Sequence, residues 1–216
     1  MPRVGNAAAT RAQARPGVTR DRIGEAALLI LDTGSDESAL TMRSLGSALG
    51  VQAPSLYAHV SGIDDVIDLV HERINASIDL SVLDAADPLT GLRRFGHLYR
   101  AAYGRHPVAT TMIITLPINS EHALTVYEAV AACLVRAGVP TDRVMPLMAL
   151  LDSIALGSAI EPFAEGFVGP SATYRPDYPT LAQALRHRRR RHIDDDGFSL
   201  GMDAFIDAVT SCTGAT

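Results

Sequence analysis

The side chains best equipped for chemistry fall between Thr41 and Val60, in TMRSLGSALGVQAPSLYAHV. On a helix, Leu56 and Val60 turn inward and leave Gln52, Ala53, Ser55, Tyr57 and His59 as an outward set. An amide, hydroxyls, an imidazole and a small methyl are groups that meet base edges and phosphate oxygens in a nucleic-acid groove. A second set, His97, His106, Glu121 and His122, has metal-binding and acid–base side chains. These fall on different helices with no HExxH spacing, Gly-rich phosphate loop or nucleophile motif, so no enzyme, metal or cofactor is expected. A third, the run Arg186 to Arg191 with His192, has the composition of a nucleic-acid patch. Asp194, Asp195 and Asp196 follow at once, and a neutralised, solvated helix end is the simpler reading.

The outward set needs elements to hold it. Met42, Leu45 and Leu49 mark the inner face of one short helix, with Gly46 and Ala48 small enough for a second helix to cross closely. Gly50 supplies a turn, Val51 plugs the corner, and Pro54 suits the first turn of the next helix. A preceding helix starts near Thr19, runs through Ile23, Ala26, Ala27, Ile30 and Leu31, and stops at Gly34. After Ser61 the spacing of Ile63, Val66, Ile67, Val70 and Ile74 predicts another helix, with Ser61 and Asp64 placed as a capping box.

The run Leu45-Gly46, Leu49-Gly50-Val51, Pro54-Ser55-Leu56-Tyr57 and His59-Val60 resembles the DNA-binding signature of the TetR (tetracycline-repressor) family. Gly157 to Glu161 and Phe198 to Met202 are similar, more weakly, to parts of that family's regulatory domain. The resemblance implies a dimeric repressor that leaves a palindromic operator when a small molecule binds. It implies DNA contacts from Thr41, Arg43, Gln52, Ala53, Pro54, Ser55, Tyr57 and His59, with Gln52 and Ala53 at base edges and Ser55, Tyr57 and His59 on the backbone. Ile63 departs from the pattern, since many relatives place a phosphate-binding lysine there. Met112-Ile113-Ile114-Thr115 stands where the family's metal-binding histidine is found, which argues against a metal-bound effector, although Glu161 resembles the carboxylate near that metal.

Beyond Pro88 the pattern stays helical, with helices predicted from Leu92 to His106, Ser120 to Ala137, Thr141 to Ile160, Thr180 to His192 and Phe198 to Cys212. A short segment, Val108 to Thr115, follows Pro107, and Gly166 to Pro179 reads as a long mobile loop. Phe95, Tyr99, Tyr103, Met112, Met148 and Phe163 offer an apolar effector cavity, and His106, Asp152 and Glu161 its polar anchors. Met202, Phe205 and Ile206 are expected to be buried only in a dimer built from the last two long helices, with Gly157 and Gly201 letting them approach.

With 216 residues, 47% hydrophobic and 20% charged, the composition is that of an ordinary globular protein. The net charge of −5 masks an uneven distribution, because Arg3, Arg11, Arg15 and Arg20 precede the first acidic residue, Asp21. Cys133 and Cys212 read as reduced core residues, and the absence of a signal-peptide or membrane-spanning pattern predicts a cytoplasmic protein with no membrane partner. The expectation is an all-α chain. It has a flexible basic arm (1–18), a three-helix helix-turn-helix domain (19–62), a connecting helix and linker (63–87), and a larger effector-binding and dimerisation domain (88–216). The alternative is a ligand-binding or catalytic helical protein that does not use its helix-turn-helix for specific recognition.

Overall fold

The computed structural model describes residues 17–118, 120–160, 163–186 and 190–214. Among them there are helices and turns but no strand. The α-helices are α1 (Arg20–Thr33), α2 (Met42–Leu49), α3 (Ala53–Leu56), α4 (Ile63–Ala76), α5 (Pro88–Gly104), α6 (Pro107–Ile113), α7 (Glu121–Arg136), α8 (Thr141–Ile160), α9 (Pro179–Arg186) and α10 (Arg190–Thr213). The basic arm from residue 1 to 16 and Glu161 lie outside the described residues.

Helix ends follow the sequence chemistry. The Thr19 hydroxyl caps α1 by accepting the Arg22 N–H, and Asp87 caps α5 by accepting the N–H groups of Leu89 and Thr90. The box expected at Ser61 forms differently: Asp65, one residue beyond Asp64, accepts the Ser61 N–H at 2.9 Å. Asp65 is also gripped by Arg20, which fixes its direction, whereas Asp64 points to solvent.

An apolar core runs without a break from Ile23, Leu31, Leu45 and Leu56 through Val66, Val70 and Ile74 of α4 to Phe95, Tyr103, Met148 and Phe205. The connecting helix thus packs on α1 at one side and on α6 and α7 at the other. α8 is long and apolar enough to cross a membrane by length and composition, yet it packs along α5 and α10 as a core helix. Only 33% of its most apolar window is buried in the single chain.

Three expectations need correction. Met202 and Phe205 are fully buried within one chain, not held back for a partner, because Met202 packs over Gly96 of α5. Gly201 lies against Ile154 of the same chain, while Gly157 has open space around it. The last helix does not wait for Phe198: α10 already runs from Arg190 and takes in Asp194 to Asp196, Asp195 pairs with Arg100 of α5 at 2.8 Å, and residues 187–189 of the basic run lie outside the described residues. Finally, the stretch from 166 to 179 is not featureless. It contains a 3-10 turn, Ser171–Tyr174, with the Tyr174 hydroxyl bonded to the Val168 carbonyl and its ring edge-on to Phe167.

Candidate nucleic-acid interface and sensor cavity

The interface is built from α2 upward. The Thr41 hydroxyl accepts the Ser44 N–H at 3.0 Å and the Ser44 hydroxyl accepts the Thr41 N–H at 2.9 Å, a reciprocal cap that fixes where α2 begins. Thr41 therefore has a cap to hold as well as an exposed position. Leu45 is buried, and Met42 and Leu49 pack beside it as their spacing predicts. Gly46 faces the turn so closely that a Cβ would come within 2.9 Å of the Val51 carbonyl oxygen, while Ala48 is exposed and plays no part in the crossing. Gly50 adopts φ 71° and ψ 31°, the left-handed conformation that L side chains resist.

α3 then opens with Pro54 in its first turn, and hydrogen bonds from the His59 and Val60 N–H groups to the Leu56 carbonyl carry the helical path on to Val60. Leu56 and Val60 are buried, at 0% and 3% exposure. Gln52, Pro54, Ser55 and Tyr57 are exposed, Ala53 and His59 are half-buried, and Arg43 is exposed on α2. The structure thus brings the expected contact residues onto one short turn-and-helix unit, with Arg43 and Thr41 on the helix before it.

What locks this unit to the rest is Arg20, the last of the basic residues that precede Asp21. Its guanidinium donates to the His59 carbonyl at 2.7 Å and to Asp65 at 2.7 Å, joining α1, the end of α3 and the start of α4. The Arg20 guanidinium in turn holds the Asp65 carboxyl below the usual range. Arg73 and Asp21 add a second tie between α4 and α1. At the departure site, Ile63 packs against the core, an apolar contact in place of a cationic one.

The proposed effector residues separate into two groups. Phe95, Tyr99, Met148 and Asp152 line one cleft together with Val126, Tyr127, Val130 and Leu151. Tyr103 lies just behind it, its ring edge-on to Tyr99 with 4.9 Å between centroids. The others are elsewhere. His106 meets Asp32 of α1 at 2.8 Å, at the junction between the head and the rest. Met112 packs at the edge of the core, and Phe163 is 67% exposed with its ring on Phe167. The cleft is contracted to about 10 Å³, room for a water and far below the roughly 300–1,000 Å³ of drug-sized sites.

Polar groups thread this cleft. The Tyr127 hydroxyl donates to Asp152 at 2.6 Å, and the Tyr103 hydroxyl donates to the Asn75 side-chain oxygen of α4 at 2.8 Å. Tyr99 stands between them, close enough to affect both Tyr127 and Asp152. Burial is the main cause that pushes Asp152 up, and the same cause raises all three tyrosines. Asn75 and Tyr127 escaped the sequence reading. Asn75 is 4% exposed, and its only signal was an amide adjoining the apolar stripe of α4. Tyr127 adjoins Val126 and Val130 and looked like more core. Among the described residues no group of three or more His, Cys, Asp or Glu is placed to hold a metal ion.

No family model matches the chain. Over 186 residues it is 29% identical to an HTH-type transcriptional regulator of Saccharopolyspora erythraea, covering 85% of this chain and 75% of that one. It is 27% identical over 202 residues to the HTH-type transcriptional repressor DrrR1 of Streptomyces coeruleorubidus, covering 88% and 74%. Its fold matches the TetR family protein ActR of Streptomyces coelicolor, solved in complex with actinorhodin, with TM-score 0.77 at 22% identity over 93% of this chain and 99% of that one. Signature, fold and relatives point the same way: the chain has the fold of TetR family proteins and is similar in sequence to HTH-type transcriptional regulators.

Proposed function

We propose that this chain is a homodimeric repressor that binds a palindromic operator through Gln52, Ala53, Ser55, Tyr57 and His59, and is released by a small apolar or aromatic effector. The observation that carries the reading is the pairing of a rigidly bracketed reader unit with a polar-threaded cleft that touches the same connecting helix. Gln52 and Ala53 meet base edges, Arg43, Ser55, Tyr57 and His59 hold phosphates, Pro54 sets the entry of α3, and Thr41 orients α2 at the backbone. Residues 19–62 read DNA, 63–87 connect, and 88–216 sense and dimerise. ActR, which shares the fold, binds actinorhodin, a precedent for small-molecule binding on this scaffold. The ligand is taken by Phe95, Tyr99, Met148 and Asp152 with Tyr103 behind them. His106 acts at the head junction, and neither a metal nor catalysis enters the cycle.

The mechanism is linkage. A ligand that opens the cleft moves Tyr127 and Tyr99, disturbs the Tyr103–Asn75 hydrogen bond, and so shifts α4, to which Arg20 and Asp65 clamp the reader. A coupling of about 1–3 kcal/mol weakens operator binding about 5–150-fold. Selection of bound sites from a random duplex pool tests the reading: enrichment of one inverted repeat supports it, and enrichment of no sequence by folded protein overturns it.

A further inference from the structure

Asp152 stands out among the part-buried groups of the fold. It lies on α8, a long apolar helix, and faces a cleft walled by Phe95, Tyr99, Tyr127, Val126, Val130, Met148 and Leu151. Its Oδ2 accepts from the Tyr127 hydroxyl at 2.6 Å. Among the described residues no arginine or histidine forms an ion pair with it. Neutral donors are thus supplied, and a countercharge is not. A carboxylate partly withdrawn from water without a cation carries a desolvation cost, so a ligand that closes over it and brings one recovers that free energy as affinity.

The walls suit the same ligand. Phe95 and Tyr99 stack at 5.2 Å with 20° between their planes, and Tyr127 stands beside Asp152. Aromatic faces attract a cation through the ring quadrupole, most strongly where water is excluded. Met148 is the adaptable element, an unbranched side chain that can yield as the contracted cleft opens around a flat molecule. From these features we infer that the cleft takes a planar aromatic cation, such as a protonated or quaternary aromatic amine, with Asp152 as its counter-ion and the neighbouring rings as its walls. This inference rests on the effector-site reading given above.

Matched probes test it: N-methylacridinium, permanently charged, and acridine, uncharged at mildly alkaline pH, titrated against the full chain by tyrosine fluorescence and thermal shift. The wild type should bind the cation at least about tenfold more tightly, equal to about 1.4 kcal/mol. Asp152→Asn should lose that preference while still binding acridine. Tyr127→Phe removes the competing hydroxyl and keeps the shape of the cleft, so its preference for the cation should be retained or increased. Equal affinity of the wild type for both probes overturns the cation assignment, as does a preference that persists in Asp152→Asn. In either case the effector-site reading survives as long as Phe95→Ala weakens both probes. If neither probe binds, or Phe95→Ala affects neither, both readings fall.

Discussion

Gln52 and Tyr57 are neighbours on one exposed turn, yet they are assigned different work. Gln52→Ala should relax preference at one base pair per half-site, costing about 1–3 kcal/mol there, whereas Tyr57→Ala should weaken all operator variants alike. Binding of a panel of single-base operator variants separates the two, and an unchanged preference in Gln52→Ala would place the base-reading face elsewhere. His71 carries a prediction of another kind. Part-buried on α4 with its ring edge-on to Tyr103, it has its pKa lowered by burial from 6.5 to about 4. The fold therefore keeps it neutral where the unfolded chain takes up a proton, so its stability contribution is full above pH 6.5 and is lost as pH falls towards 4. Asp152, raised by burial, acts in the opposite sense and is common to wild type and variant. Between those pH values the wild-type thermal midpoint should fall more steeply than that of His71→Gln, and parallel profiles would contradict the assignment.

At the scale of elements, the reader was legible because its signals are local. Gly50 must have a positive φ, Pro54 must be in a first turn, and Leu45 and Leu56 must face inward whatever the rest of the chain does. Gly50→Val should accordingly cost about 1–2 kcal/mol and lower both stability and operator affinity. A variant as stable as the wild type, measured by denaturant unfolding, would show that the turn relaxes. The bracket that orients the reader was not legible, since Arg20 and Asp65 are 45 residues apart and only the fold brings them together. The same holds for Asn75 and Tyr103, separated by 28 residues. Tyr103→Phe leaves the ring in place but removes the donor to Asn75. It should keep operator binding and reduce ligand-driven release, as read by anisotropy with and without N-methylacridinium. Full release from this variant would remove the hydrogen bond from the coupling route.

For the whole molecule, periodicity marks an apolar face but does not say what covers it. Phe205 and Met202 carry the spacing of an interface, yet the chain's own α5 and α8 bury them. The faces left uncovered on the same two long helices are Met145 and Leu150 of α8 and Leu200 of α10, at 67%, 38% and 69% exposure. In a homodimer through α8 and α10 these are the residues to be covered, and Leu200→Asp should give folded monomers in sedimentation. Phe205→Asp should instead unfold the chain. A Leu200→Asp protein that remains dimeric would move the interface to another face. The expected arrangement sets two α3 helices about 34–36 Å apart, one turn of DNA, or modestly more.

Footprinting of the dimer on its selected operator tests that arrangement and the proposed function together. The account predicts two symmetric protected half-sites, one helical turn or slightly more between centres, with protection lost uniformly in Tyr57→Ala. A single asymmetric footprint, or protection unchanged in Tyr57→Ala, would contradict it.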